Sequence, residues 1–307
     1  MHCMHEFGDM AARATRSASR AASRSSDDAS RCLLLALSHD ELGVIVDGLA
    51  DPLQPVVAVA LSSTCLGLRT PLQAALQVLR QRHERAAALC RKLSCNSTTH
   101  LGATLVANLA ELRGAERLEG SGLLDDDDMA TLGMILRTNG LPCLQVLYPN
   151  SRSGLGDASM RALCGGLGRG AAPSLRVLGL AGCNFGPAGA EALAAALRRG
   201  AFPKIEMLSL GHNPIGSQGV AALAAPLRKM PALSQLLLDR CEIVDEGVAS
   251  LVDNLGKDDF KALKEVLLCN NKITDAGVAR LRAALDAGGL PKLVNQPYLL
   301  KDNPASA

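Results

Sequence analysis

Six histidines and ten cysteines are the side chains here best suited to nucleophilic, redox or metal chemistry. The histidines are His2, His5, His39, His83, His100 and His212, and none stands in a metal-ligand or nucleophile motif. His2, Cys3 and His5 lie close enough in sequence to share a metal, but no further ligand cluster joins them. The cysteines are scattered and form no Cys-x-x-Cys pair. Asp125 to Asp128 has the look of a cation site. A simpler account puts these carboxylates at the start of a helix, where free amides and the helix dipole favour negative charge. Gly166-x-Gly168-x-Gly170 has the glycine spacing of a phosphate cradle, but it follows a helical stretch and reads as a helix exit. Neither a Gly-Lys-Ser/Thr phosphate loop nor a Gly-x-Ser-x-Gly elbow occurs. The expectation is a non-enzyme with no catalytic residue, no cofactor and no metal site.

The elements that would carry any function repeat. The first apolar residue of each unit is Leu144, Leu175, Ile205, Leu233, Leu263 and Leu293, at spacings of 31, 30, 28, 30 and 30. A fixed period in this range marks a solenoid. Each unit opens with apolar residues at period 2, as in Leu178-x-Leu180, which indicates a short strand with one buried face. A Cys or Asn slot and a large apolar residue follow: Cys183 and Phe185, Asn213 and Ile215, Cys241 and Ile243, Asn271 and Ile273. An Asn amide in the slot can satisfy buried turn backbone, and a Cys there is a small hydrophobe. The period then becomes helical, with Gly189, Leu193 and Leu197 at +4, +8 and +12 from Phe185, and the same offsets in the next three units. Pro187 suits a first helical turn, and Ser217, Asp245 and Asp275 suit an N-cap. The recurring Gly lets the helix approach its neighbour.

This combination, L-x-x-L-x-L-x-x-N/C-x-L followed by G-x-x-x-L-x-x-x-L, resembles the leucine-rich repeat of the ribonuclease-inhibitor-like class. Four units from Leu175 to Pro291 match closely. The unit at Leu144 is degraded by Pro149 and an inserted residue before Leu155. An earlier one shows only its helix, through Leu124, Met129, Leu132 and Leu136. The resemblance implies an α/β fold: a solenoid with a curved parallel sheet inside and helices outside. Repeats are assigned to 98–307, degenerate before 174, clear over 174–291 and a partial cap afterwards. Pro297 falls inside the last strand, so the end is expected to cap or fray, with fast hydrogen exchange beyond Lys301.

Residues 32–97 read as a separate all-α module. Ser38 and Glu41 make a capping box, Leu42, Ile45, Val46 and Leu49 an apolar face, and Asp51-Pro52 a stop. An amphipathic helix runs from about Leu72 to Leu93 through Leu76, Leu79, Ala86 and Leu89. Asp40-Glu41-Leu42, Val46, Asp51-Pro52 and Cys65-x-x-Leu68-Arg69 resemble an F-box. Ser38-His39 replaces the usual Leu-Pro, and the segment between Pro52 and Cys65 is a few residues too long. The resemblance implies a Skp-type adaptor bound through Glu41, Leu42, Val46, Leu49 and Leu68; a plain three-helix spacer is the alternative. Residues 1–31 are rich in Ala, Arg and Ser and read as a disordered tail or, alternatively, an organelle transit peptide, against which Glu6, Asp9, Asp27 and Asp28 argue.

A net charge of +2 creates no overall field that demands nucleic acid or membrane. No apolar run reaches the ~18 residues that span a bilayer. We expect a cytoplasmic or nuclear protein with reduced thiols, monomeric outside its complexes. Period-2 alternation exposes Val146 and Tyr148; Val177 and Gly179; Met207, Ser209 and His212; Gln235, Leu237, Asp239 and Arg240; and Glu265, Leu267 and Asn270 on the concave side. The strip is apolar along its middle, and its assigned role is to bind a client protein. With the F-box resemblance, the chain reads as the substrate receptor of a cullin-RING ubiquitin ligase. The alternatives are a repeat scaffold without ubiquitin chemistry, or a small-GTPase regulator of the Ran GTPase-activating type, whose acidic C-terminal tail is missing here.

Overall fold

The computed structural model describes residues 51–56, 59–60, 69–95, 104–120, 124–149, 155–288, 290 and 300–304. The chain divides into two compact units, Met1–Leu89 and Cys90–Ala307. In the first, helix α1 spans Arg69–Cys90 and buries Leu72, Leu79, Ala86 and Leu89 on one face. Leu76 is only half-buried, and Leu93 belongs to a strand rather than to this helix. The Asp51-Pro52 stop is a turn: the Asp51 carboxylate accepts from the Leu53 amide at 2.8 Å. The adaptor-face residues Glu41, Leu42, Val46, Leu49 and Leu68, and Cys65, lie outside the described residues.

The second unit begins at Cys90, ahead of the repeat start read from sequence at 98. Its elements are β1 (Leu93–Cys95), β2 (Thr104–Leu105), α2 (Leu109–Gly114), β3 (Arg117–Gly120), α3 (Asp126–Arg137), β4 (Val146–Tyr148), α4 (Asp157–Cys164) and β5 (Val177–Gly179). There follow α5 (Pro187–Arg198), β6 (Met207–Ser209), α6 (Gly216–Arg228), β7 (Gln235–Leu237), α7 (Asp245–Val252), β8 (Glu265–Leu267) and α8 (Asp275–Asp286). The sheet order is β2-β1-β3-β4-β5-β6-β7-β8. β3 to β8 run parallel, while β1 pairs antiparallel with both β2 and β3. The earliest unit, known from sequence by its helix alone, therefore has a strand, β3. Leu118, Leu147, Leu178, Leu208, Leu236 and Val266 form one cross-strand row, and all six are buried under the helices.

Two devices hold successive repeats in register. The first is the slot. The fully buried Asn213 amide donates to the carbonyls of Leu180 and Leu210, both at 2.8 Å, and so ties two repeats together. Asn271 does the same for Leu238 at 2.8 Å and Leu268 at 2.9 Å. The second is capping between repeats, and it corrects the expected N-caps. The caps of α6, α7 and α8 are Ile215, Val244 and Thr274, so Ser217, Asp245 and Asp275 lie inside their helices. Ser217 and Asp245 reach sideways instead: the Ser217 hydroxyl accepts from the Val244 amide at 3.1 Å, and Asp245 from the Thr274 amide at 2.8 Å. Asp157 likewise accepts from Gly186 and Gly189 at the start of α5, at 2.8 and 2.7 Å. The glycine at +4 makes room for that reach. A Cβ on Gly189 or Gly247 would lie 2.8 Å from Asp157 Oδ1 or Ser217 Oγ, and one on Gly277 would run into Asp245 Oδ1.

The C-terminus closes with a cap. Asn303 is 3% exposed and fills the slot of a further turn, accepting from the Asn271 amide at 3.0 Å and the Ile273 amide at 3.2 Å. Its own amide donates to Leu268 and Leu300. Asn303 thus caps the stack, one of the two outcomes expected for this end. This slot falls 32 residues after Asn271, two more than the period predicts, which hid it from a fixed-spacing search. α7 is also short: it ends at Val252, so Leu255, expected at +12, lies beyond the helix and is half-buried.

Candidate functional site

The sheet face away from the helices carries two columns of side chains flanking the buried row. One runs Arg117, Val146, Val177, Met207, Gln235, Glu265; the other Glu119, Tyr148, Gly179, Ser209, Leu237, Leu267. All are half-buried except Gly179, which is buried. The Tyr148 ring lies across Gly179, where a Cβ would collide with the ring. Gly179 is thus the seat of the tyrosine and not an exposed residue, correcting the sequence reading. The Arg117 guanidinium stands 5.1 Å from the centre of the same ring and pairs with Glu119 at 2.5 Å. Tyr148 is in this way held flat from two sides. At the other end the Gln235 amide donates to Glu265 at 2.7 Å.

The rim beyond the strands is ordered by a recurring backbone state. The residue before each slot has positive φ: Gly182, His212, Arg240, Asn270 and Asp302. Non-glycine residues adopt this region at a cost. Here it aims each amide at the next repeat: His212 donates to Asp239 at 2.8 Å, Arg240 to Cys269 at 3.1 Å and Asn270 to Lys301 at 2.9 Å. The sheet's hydrogen bonding so continues past the short strands and fixes the His212 and Arg240 backbones on the rim. His212 Nε2 stands 3.3 Å from Asp239 Oδ2, and Gly211 leaves room for that carboxylate. The structure thus brings Tyr148, Val177, Met207, Ser209, His212, Gln235, Leu237, Asp239, Arg240, Glu265 and Leu267 onto one face and its rim. It adds Arg117 and Glu119, which the sequence reading missed because β3 lacks the leucine pattern. Leu118, 29 residues before Leu147, was the available signal.

Among the described residues, the buried cysteines and the Asp125–Asp128 run have structural roles. Burial pushes the Cys183 thiol up to about 11, and those of Cys164 and Cys241 to about 12. Such thiols stay protonated and unreactive at neutral pH. Asp125 is the N-cap of α3, in a capping box with Asp128, as expected. The Asp128 backbone amide holds the Asp125 carboxyl below its usual range, with Lys92 adding to the effect. A small cavity near α7 and α8 is lined by apolar residues, among them Leu251, Val252, Phe260, Val266, Leu281 and Leu290, and offers no group for chemistry.

A family model described as Leucine Rich repeat matches residues 171–194 and 203–224. Leucine-rich repeats are present at 171–224. The matched stretches contain β5 with most of α5, and β6 with most of α6. Leucine-rich repeats generally mediate protein–protein interaction and are generally non-enzymatic. Comparison with curated proteins gives no match.

Proposed function

We propose that this chain is a non-catalytic interaction protein, working in the cytoplasm or nucleus, that holds a client protein on the strip of its sheet. The carrying observation is the aligned pair of columns. Residues from six repeats stand side by side, apolar at Val146, Tyr148, Val177, Met207 and Leu237, and polar toward Glu265 and the rim. That is the pattern of an interface with a desolvated centre and a polar border. Tyr148, immobilised beforehand, and Met207 are its anchors; Asp239, Arg240 and Glu265 set orientation and on-rate. Met207→Ala with Leu237→Ala is expected to weaken client capture at least roughly tenfold, about 1.4 kcal/mol. Glu191→Lys with Arg282→Glu on the outer helices should leave capture intact. A melt of each variant separates lost contact from lost fold. Capture abolished by the helix pair and spared by the strip pair would reject this face.

The adaptor half of the proposal rests on the sequence resemblance. A Skp-type adaptor docks on Glu41, Leu42, Val46, Leu49 and Leu68 and brings the client to a cullin-RING ubiquitin ligase, where proximity is the whole contribution of this chain. Leu42→Asp with Val46→Asp should abolish adaptor capture and spare client capture. Wild-type protein that binds no Skp adaptor would leave a scaffold without ubiquitin chemistry.

A further inference from the structure

Charge in the second unit is uneven between its edges, acids outnumbering Arg240 and Lys272 at one and bases outnumbering Glu206, Asp253, Asp258 and Asp259 at the other. At the edge where strands lead into helices stand Asp125 to Asp128, Asp157, Asp239, Asp245 and Glu246. At the opposite edge, where helices lead back to strands, stand Arg169, Arg198, Arg199, Lys204, Arg228, Lys229, Lys257, Lys261 and Lys264. Compensation of helix dipoles accounts for part of this. Arg199 donates to the carbonyls of Cys164 and Leu167 at the end of α4, and Arg228 to those of Ser250 and Leu251 at the end of α7. Lys229 and Lys261 pair with Asp259 and Asp258 at 2.6 and 2.8 Å.

Arg169, Lys204, Lys257 and Lys264 are not explained this way. They lie outside the helices and are exposed, and among the described residues no carboxylate comes within ion-pair distance of them. The loops that carry them are stitched together from repeat to repeat. The Phe202 amide donates to Ala171 at 3.3 Å and the Phe260 amide to Arg228 at 2.9 Å. The cations therefore stand on one continuous, fixed edge, separate from the strip.

We propose that this edge is a second binding surface, which takes an acidic polypeptide segment in extended form. Neighbouring repeats step by roughly 5 Å at the strands and up to roughly 10 Å at the helices. At about 3.3 Å per extended residue, a carboxylate at every second or third position keeps step with the repeats and meets Arg169, Lys204 and Lys257, with the Lys229–Asp259 pair on the loop between the last two. A peptide suits the edge better than a nucleic acid. Glu206, Asp253 and Asp258 interrupt it, which opposes a continuous phosphate chain more than a peptide whose carboxylates are spaced to fall between them. Phe202 and Phe260, the rings of these loops, are 0% and 2% exposed and offer no stacking platform.

The test is fluorescence anisotropy on the full chain with a labelled peptide of about nine residues carrying Glu at every third position. A peptide of the same composition with its Glu residues adjacent and a single-stranded DNA of similar length are the comparisons. The spaced peptide is expected to bind tightest, with affinity falling as salt rises. Arg169→Glu, Lys204→Glu and Lys257→Glu together should weaken it at least roughly tenfold. The corresponding Gln variants, which add no repulsion, should weaken it less, and circular dichroism checks that both sets fold. Met207→Ala with Leu237→Ala should leave it unchanged, which keeps this edge distinguishable from the client strip. Absence of binding at low salt, indifference to both triple variants, equal binding of the two peptides, or tighter binding of the DNA would each overturn the proposal.

Discussion

Asn213 shows how one side chain joins two repeats. Its Nδ2 group serves the carbonyls of Leu180, Leu210 and Gly211, and its Oδ1 accepts from the Phe185 amide at 3.4 Å. Cys241 fills an equivalent slot with one weak donor, its Sγ 3.3 Å from the Leu210 carbonyl. The two chemistries differ in what their loss would cost. Asn213→Ala leaves buried carbonyls of two repeats without a partner and should lose about 2–4 kcal/mol in urea melts. Asn213→Cys should lose clearly less, because a thiol is already accommodated at Cys183 and Cys241. Equal losses would mean that the slot is governed by volume and not by hydrogen bonding. The slot and its chemistry were legible from the Cys/Asn alternation. Which carbonyls it serves was not, because one lies 33 residues away in the preceding repeat.

At the scale of the elements, the helix starts depend on neighbours. A Gly→Ala change inside an exposed helix ordinarily gains up to about 1 kcal/mol. At Gly277 the sign should reverse, because the new Cβ meets Asp245 Oδ1 and lies 2.7 Å from Ile273 Cγ2. Gly277→Ala should therefore lose about 1–3 kcal/mol, as overpacking does. A neutral or stabilising result by thermal melt would remove the capping between repeats. The Thr274 hydroxyl, followed by the Thr274 and Gly277 amides, holds the Asp245 carboxyl below its usual range. A depressed folded-state value means that this contribution is present above the ordinary carboxylate range and lost as pH falls below it. Asp245→Asn should accordingly flatten the acid side of the stability profile, measured by urea melts from neutral pH downward. The sequence supplied the Ser and Asp at helix starts but misassigned their partners. An N-cap and a residue one step inside the helix look alike until the adjacent helix is in place.

At the scale of the whole repeat unit, stability is shared between neighbours, since each repeat touches only those beside it. Leu208 is 1% exposed between Leu178 and Leu236, and Leu208→Ala should cost about 2–5 kcal/mol. The ends behave differently. Asn303→Ala should speed hydrogen exchange at the Asn271 and Ile273 amides, which it accepts from, while leaving the amides of β5 and β6 protected. Uniform acceleration would mean that the terminal slot supports the whole stack.

Period and alternation alone specified the repeat, the buried leucine row and most of the strip. These depend on local spacing, and a side-chain period of two in strands and near four in helices can be read from one chain. The same reading expected Met207 and Leu237 to be simply exposed and Gly179 to be free. Their partial burial, and the tyrosine seated on the glycine, arise from strands lying beside one another at fixed register. β3, its Arg117 and Glu119, the antiparallel pair at the N-terminal edge and the Asn303 slot were likewise decided in three dimensions. In each case the pattern was broken or offset by a residue or two, and hydrogen bonds to the neighbouring repeat, not sequence spacing, set the register.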